Sequence, residues 1–129
     1  MPSNKSDIYN VAEWVGLILG SDYRPNIGTF VETTATASAQ FIVQQAGGSW
    51  SSLVYTPRFS IGILTARKDM LGAEKVNKDL RGFINHIQLA TSGFPCGASG
   101  VRVANSPVGP IPSANGERSY YNMVIELIY

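Results

Sequence analysis

The chain has 129 residues, of which 44% are hydrophobic and 15% are charged, and its formal net charge is +1 at pH 7. This length and apolar content predict one folded domain over residues 1–129 and exclude an intrinsically disordered chain. The near-zero charge gives no support for a nucleic-acid-binding domain with a basic face. The charged fraction lies below the roughly 25% usual for soluble domains, which favours a surface partly covered by neighbouring subunits or partners.

Cysteine content and hydropathy indicate the compartment. The single Cys96 cannot form an internal disulfide, which fits a reducing environment. No apolar run approaches the roughly 20 residues that a transmembrane helix needs, and the polar beginning of the chain is unlike a signal peptide. We therefore expect a soluble protein that folds in a cytosol and has no membrane partner.

The first predicted element is a helix that Ser6 or Asp7 caps and that runs through Leu19. Its apolar stripe consists of Ile8, Val11, Ala12, Val15, Ile18 and Leu19. Trp14 and Leu17 widen this stripe beyond what one core face needs. Two interpretations stay open: the helix is mostly buried, or Trp14 makes a contact between subunits.

The segment after this helix has little periodicity. Residues 22–26 predict a turn, because their proline disfavours a helix at the residue before it, and residues 27–31 favour a short strand. Residues 32–38 are polar and rich in threonine, which predicts an exposed loop that becomes ordered only on binding. Thr33 and Thr34 are therefore candidate interface residues.

The sequence next predicts two strands joined as a hairpin. Residues 39–45 and 55–65 alternate between large and small or polar side chains, and a Gly-Gly-Ser turn at residues 47–49 leads from one to the other. The large residues of the second strand share one face: Tyr55, Pro57, Phe59, Ile61 and Ile63. Arg58 falls on the other face, where it is a candidate interface residue.

After a polar break at residues 66–69 the period changes to 3.6, which predicts a second helix. Its apolar stripe consists of Val76, Leu80, Phe83, Ile84 and Ile87. Basic and acidic residues are interleaved on the rest of the helix, a mixture typical of a solvated face.

The last third of the chain alternates irregular and extended segments. Residues 90–100 form an irregular stretch, residues 101–104 a short strand, and residues 105–116 a loop whose three prolines prevent a regular ladder. Val108 and Ile111 are apolar residues on that loop, so they either contact a partner or tuck into the domain's own core. Residues 117–129 form the cleanest strand of the chain.

This order lacks the regular alternation that parallel α/β folds require. The pattern predicts an α+β fold, with a mostly antiparallel sheet, two helices packed on one face, the order α-β-β-α-β-β, and long loops.

Residue types that carry chemistry are sparse. A metal site needs three or four ligands of His, Cys or carboxylate type, and a phosphate loop needs a Gly-Lys-Ser/Thr ending that the Gly-rich stretch around Cys96 lacks. We predict no enzyme activity, no cofactor and no catalytic, cofactor-binding or metal-binding residues. The alternative is a small cytosolic enzyme or ligand-binding domain that uses Cys96 and His86.

Four segments, taken in order after an N-terminal helix, carry a family resemblance. They are the strand YTPRFSIGI at 55–63, the helix start DMLGAE at 69–74, the loop NSPVGPI at 105–111 and the closing block NGERSYYNMVIEL at 115–127. In this order the chain resembles the phage tail terminator family, also described as minor capsid or tail-completion proteins.

The resemblance implies a structural virion protein that forms a ring, usually hexameric, at the head-proximal end of a phage tail. Such a ring binds the tail tube protein, stops tube polymerisation, and offers its other side to a head-completion or connector protein. DNA passes through the lumen without sequence-specific binding, and assembly takes place in the host cytoplasm. A head-completion or stopper ring of the head–tail connector is the alternative within the same class.

Overall fold

The computed structural model describes residues 7–20, 23–27, 39–50, 55–65, 70–112 and 119–129. Within these ranges the elements are α1 Asp7–Leu19, β1 Tyr23–Ile27, β2 Ala39–Trp50, β3 Tyr55–Leu64, α2 Met70–Leu89, β4 Gly100–Pro112 and β5 Ser119–Ile128. A 3-10 helix, Pro95–Gly97, lies between α2 and β4. The predicted α+β class is confirmed.

The strands form one sheet in the order β1-β2-β3-β5-β4. The pairs β2–β3, β3–β5 and β4–β5 are antiparallel, which confirms the predicted order α-β-β-α-β-β for these four strands and the two helices. β1 is an additional strand that pairs in parallel with β2 at one edge of the sheet.

The turn predicted at residues 22–26 is wrong, because Tyr23–Ile27 is the edge strand β1. Pro25 lacks an N–H group, and an edge strand tolerates proline because one side of its backbone needs no ladder partner. Of the strand predicted at residues 27–31, only Ile27 lies within the described residues, as the last residue of β1.

The turn predicted at residues 47–49 is also wrong, since β2 continues to Trp50. The register between β2 and β3 shifts between Gln45 and Gly48, and Gly47 has a φ of 88°. A β-bulge with glycine in the left-handed region explains both observations, because it inserts a residue without ending the strand.

Both helices pack on the same face of the sheet, where the core lies. α1 contributes Val11, Ala12, Trp14 and Val15; α2 contributes Val76, Leu80, Phe83 and Ile87; and the sheet contributes Phe41, Val43, Phe59, Ile61, Ile63, Tyr121, Met123, Ile125 and Leu127. Each large aliphatic or aromatic side chain buried this way stabilises the fold by about 1.5–3 kcal/mol. The predicted apolar stripe of α2 is therefore its buried face, with Ile84 half-buried at its margin.

Trp14 belongs to this core. It is 8% exposed. Its ring meets the ring of Phe83 edge to face, with 5.5 Å between the centroids, and so joins α1 to α2. Leu17 lies on the same helix with 85% of its surface exposed, so of the two side chains that widen the stripe it is the one available to a partner.

The loop predicted at residues 105–116 is wrong over residues 105–112, which continue β4 beyond the predicted short strand. Between Arg102 and Ile111 the strand advances three residues for every two of β5, and its register shifts three times. Repeated bulges of this kind bend a strand and increase its twist. The prolines of this stretch are accommodated because β4 is an edge strand and its ladder is irregular.

Candidate protein interface

The face of the sheet opposite the helices carries a row of charged side chains across three neighbouring strands. Arg58 of β3 and Arg102 of β4 are both Cα partners of Glu126, which lies on β5 between them. The three side chains therefore lie side by side on this surface, which we call the open face.

Glu126 holds the two arginines by charge-assisted hydrogen bonds. Arg58 Nε donates to Glu126 Oε2 at 2.7 Å, and Arg102 Nη2 donates to Glu126 Oε1. The hydrogen bond from Arg58, helped by the charges of both arginines, lowers the pKa of the Glu126 carboxyl although burial opposes this shift. The carboxyl is therefore ionised at neutral pH, and the three groups carry a net charge of about +1.

The two guanidinium groups remain accessible while Glu126 is buried. A guanidinium has five N–H donors in a planar fork, and one bond to Glu126 occupies one of them. The arrangement thus fixes the positions of two arginines and leaves most of their donors to a partner with carboxylate or other anionic groups.

A chain of hydrogen bonds continues along the open face toward the start of β5. Ser60 Oγ donates to Asn122 Oδ1 at 2.9 Å, and Asn122 Nδ2 donates to Tyr120 Oη at 3.2 Å. The Tyr120 ring covers Gly62, where a Cβ atom would lie 2.5 Å from Tyr120 Oη. Burial raises the pKa of Tyr120, so its hydroxyl stays neutral. This part of the face is a fixed, polar platform.

Aliphatic side chains flank the arginines at both ends. Val108 and Ile111 of β4 are 60% and 44% exposed, and their Cα partners are Asn122 and Tyr120 of the open face. Ile128 is exposed at the other end of β5, two residues beyond Glu126. Of the two interpretations for Val108 and Ile111, burial in the domain's own core is wrong, because both side chains lie at the surface.

The candidate interface residues are only partly brought together. Arg58, Val108 and Ile111 lie on the open face, whereas Trp14 lies in the core. Thr33 and Thr34 lie outside the described residues. The sequence prediction missed Arg102 and Glu126, because their adjacency to Arg58 depends on strand register, which alternation along one strand does not specify.

The outward side of α1 is a second candidate surface. Tyr9, Glu13 and Leu17 are exposed and spaced four residues apart, so they form one stripe along the helix. The stripe is apolar at both ends, with Tyr9 52% exposed, and acidic in the middle.

Cys96 and His86 do not form a reactive pair. Cys96 Sγ donates to the backbone oxygen of Asp7 at 3.6 Å. Burial, together with the nearby Asp7 charge, raises the pKa of the Cys96 thiol to about 11. His86 is exposed in the last turn of α2, and within the described ranges no hydrogen bond or ion pair joins it to Cys96. A protonated thiol is a weak nucleophile, so the site is unsuited to thiol chemistry at neutral pH.

Two further features of the described residues bear on ligand sites. Among the residues that the structure describes, no three His, Cys, Asp or Glu side chains are grouped so as to hold a metal ion. A shallow polar groove follows α2 and is lined by Glu74, Asn77, Lys78, Arg81, Gly82 and Asn85. All of these residues belong to one helix face with mixed charges, which is typical of a solvated surface.

A scan against protein-family models finds no match to this chain, and a search of curated proteins finds none either. No helix in the described part of the chain has both the length and the apolar character needed to cross a membrane.

Proposed function

We propose that this chain is a structural protein of a phage virion that assembles into a ring, in the manner of a tail terminator. The ring would sit at the head-proximal end of the tail, bind the last ring of the tail tube and stop its growth. Its opposite side would bind a head-completion or connector protein. The resemblance that suggests this role rests on an order of helices and strands, and the α+β fold with its order α-β-β-α-β-β is compatible with it.

The observation that carries the proposal is the composition of the open face. Two arginines fixed by a buried carboxylate lie between exposed aliphatic side chains, beside the hydrogen-bonded side chains of Ser60, Asn122 and Tyr120. Arginine is enriched in protein–protein contacts, the buried centre of such a contact is more apolar than the rest of the surface, and a contact residue that is already held in position loses less entropy on binding. Such a surface supports an assembly role.

The enzyme alternative is weaker on the same structure. It would require a thiolate at Cys96 and a base within reach, but the thiol is protonated at neutral pH and the imidazole of His86 lies on an exposed helix end. The assembly role uses neither residue.

Electron microscopy of the purified protein tests the proposal. We expect negatively stained rings with a central hole, and we expect that adding the protein to polymerising tail tubes yields tubes with a ring at one end that no longer elongate. Monomers at every concentration examined, or tubes whose growth is unchanged by the protein, would overturn the proposal.

A further inference from the structure

We propose that the open face binds an extended acidic segment of another protein. One Asp or Glu carboxylate of that segment lies over the guanidinium groups of Arg58 and Arg102. The apolar side chains two residues before and after this carboxylate contact Val124 and Ile128. That the partner is a neighbouring virion protein rests on the proposed function, whereas the chemistry of the contact is argued from the open face alone.

Along β5, the open face presents an apolar, a charged and an apolar position in equal steps. Val124 and Ile128 lie two residues before and after Glu126, so each Cα atom is about 7 Å from the Cα atom of Glu126. Val124 is half-buried and Ile128 is exposed. An extended segment has the same two-residue repeat, so three successive side chains on one of its faces match these three positions without a change of spacing.

The structure leaves Ile128 uncovered on the side of β4. Its Cα partner on that strand is Gly100, which has no side chain to lie over it. A large aliphatic side chain at a surface position with an empty neighbouring site provides a contact for an apolar residue of the partner. Burying Ile128 there removes apolar surface from water and so favours binding.

Arg58 and Arg102 provide the charge that the segment recognises. Their side chains are 46% and 59% exposed, whereas the Glu126 side chain beneath them is 8% exposed. Each arginine donates to a different oxygen of Glu126, so both guanidinium groups lie beside the same carboxyl group. Two planar donor groups held this close together suit one further carboxylate on the solvent side.

Charge balance favours a single carboxylate in this position. The two arginines carry two positive charges and Glu126 carries one negative charge, so the three groups together carry about +1. A neutral surface that covered them would bury this charge without compensation, which is costly. One carboxylate of the partner cancels the charge and accepts hydrogen bonds from guanidinium donors that the bonds to Glu126 do not use.

Nucleic acid is the rival anionic partner, and the surroundings of the arginines disfavour it. Proteins that bind a phosphate backbone use several basic side chains in a stripe or patch. Here a carboxylate lies between the two arginines, and the adjoining positions of β5 are the aliphatic Val124 and Ile128. Apolar side chains around a small charged centre are typical of a contact with protein.

An extended peptide can also bind a sheet by pairing with an edge strand. The β4 edge is poorly suited to this, because its register with β5 shifts three times and Pro107 and Pro110 have no N–H group to donate. We therefore place the segment across the open face, where side chains rather than backbone groups make the contact.

Titration with a synthetic peptide tests the inference. The probe is the blocked peptide Ac-TVTETVT-NH2, and its matched control is the same peptide with Gln in place of Glu. NMR spectra of the isotopically labelled protein follow the Nε–H signals of Arg58 and Arg102 and the backbone signals of β5. We expect the Glu peptide to shift these signals to saturation and the Gln peptide to bind about tenfold more weakly, because it lacks the charged acceptor.

Variants of the protein assign the contact to the open face. Arg102→Gln should weaken binding of the Glu peptide about tenfold, and Arg102→Lys, which retains the charge beside Glu126 but not the planar fork, should give an intermediate affinity. Ile128→Ser should weaken the Glu and Gln peptides by the same factor, since it removes only the apolar contact. Arg81→Gln, at an exposed position of α2 outside the open face, should bind as the wild type does.

Circular dichroism checks the fold of each variant. Should Arg102→Gln fail to fold because Glu126 loses one of its two partners, Arg102→Lys and Ile128→Ser provide the test in its place. The contact would be overturned by an absence of saturable shifts, by equal affinities for the Glu and Gln peptides, or by an unchanged affinity in the open-face variants. Short duplex DNA that binds at these arginines more tightly than the Glu peptide at physiological salt would also overturn it, in favour of a phosphate partner.

The same proteins in the ring and tube experiments separate this contact from the proposed function. A wild type that forms rings and stops tube growth but does not bind the Glu peptide would overturn the contact and leave the function standing. A wild type that binds the Glu peptide but forms no rings and leaves tube growth unchanged would support the contact and overturn the function.

Discussion

At the scale of single residues, Glu126 stands out because its carboxylate is buried in the sheet. A buried carboxylate requires compensation, and Arg58 and Arg102 provide it from two different strands. Buried ion pairs add little net stability compared with apolar packing, but removing one partner is costly because the remaining charges lose their compensation. Glu126 therefore acts mainly to fix the two arginines across β3, β5 and β4.

The substitution Glu126→Gln should lower the free energy of unfolding at pH 7 by about 2 kcal/mol, the usual contribution of charged hydrogen bonds. It should also change the pH dependence. The folded pKa of Glu126 lies below its unfolded value of about 4.3, so the stabilisation is fully present above about pH 5 and is lost as the pH falls through the folded pKa. Urea unfolding between pH 2.5 and 7 measures both effects.

The control for this prediction is Glu74→Gln on the exposed side of α2, for which we expect less than about 0.5 kcal/mol of change. In Glu126→Gln the fall of stability toward acid pH should be shallower than in the wild type. Parallel curves for the two proteins would contradict the assignment of Glu126 as an ionised, compensated group.

Only part of this site could be predicted from the sequence. Arg58 could be placed on the polar face of its strand from alternation alone. Its meeting with Arg102 and Glu126 is set by pairing between residues that are 44 and 68 positions away in the chain. Periodicity describes one strand at a time and carries no information on which strands are neighbours, so the site could not be assembled from the sequence.

At the scale of elements, β5 determines the arrangement of the sheet. It lies between β3 and β4, and its core-facing residues are continuous from Tyr121 to Leu127. This strand was predicted well, because both of its flanks pair and a strand with one buried face must keep strict alternation.

Replacing Ile125 by Asp tests the position of β5. Ile125 is fully buried between its Cα partners Phe59 and Val103, so an aspartate there is an uncompensated charge in the core. We expect a loss of about 4 kcal/mol or more, enough to leave much of the protein unfolded at 37 °C. Asn105→Asp, an equal addition of charge at an exposed position of β4, should melt within a few degrees of the wild type.

The elements that sequence reasoning missed share a physical cause. β1, the continuation of β2 past Gly47 and the second half of β4 all contain glycine or proline, which normally mark turns. Each is held in the sheet by an edge position or a bulge, and neither is visible in local sequence patterns. The helices were predicted closely, since their apolar stripes and their limits depend on neighbours within one or two turns.

At the scale of the whole molecule, one core serves both helices and the sheet, while assembly would use surfaces outside it. Trp14 and Phe83 join the two helices, and the Tyr23 hydroxyl donates to Asp79, which ties β1 to α2. Because these contacts share one core, we expect the domain to unfold in a single cooperative transition.

Two neighbouring positions on α1 separate folding from assembly. Trp14→Ala removes a buried ring that contacts Phe83, so it should lower the free energy of unfolding by about 3–5 kcal/mol. Leu17→Ala removes an exposed side chain, so it should change stability by less than about 0.5 kcal/mol but weaken association between copies. Urea unfolding and sedimentation velocity on both variants measure the two properties. A stable Trp14→Ala protein that fails to associate would show instead that Trp14 serves the interface, and an unstable Leu17→Ala protein would contradict the outward placement of the stripe.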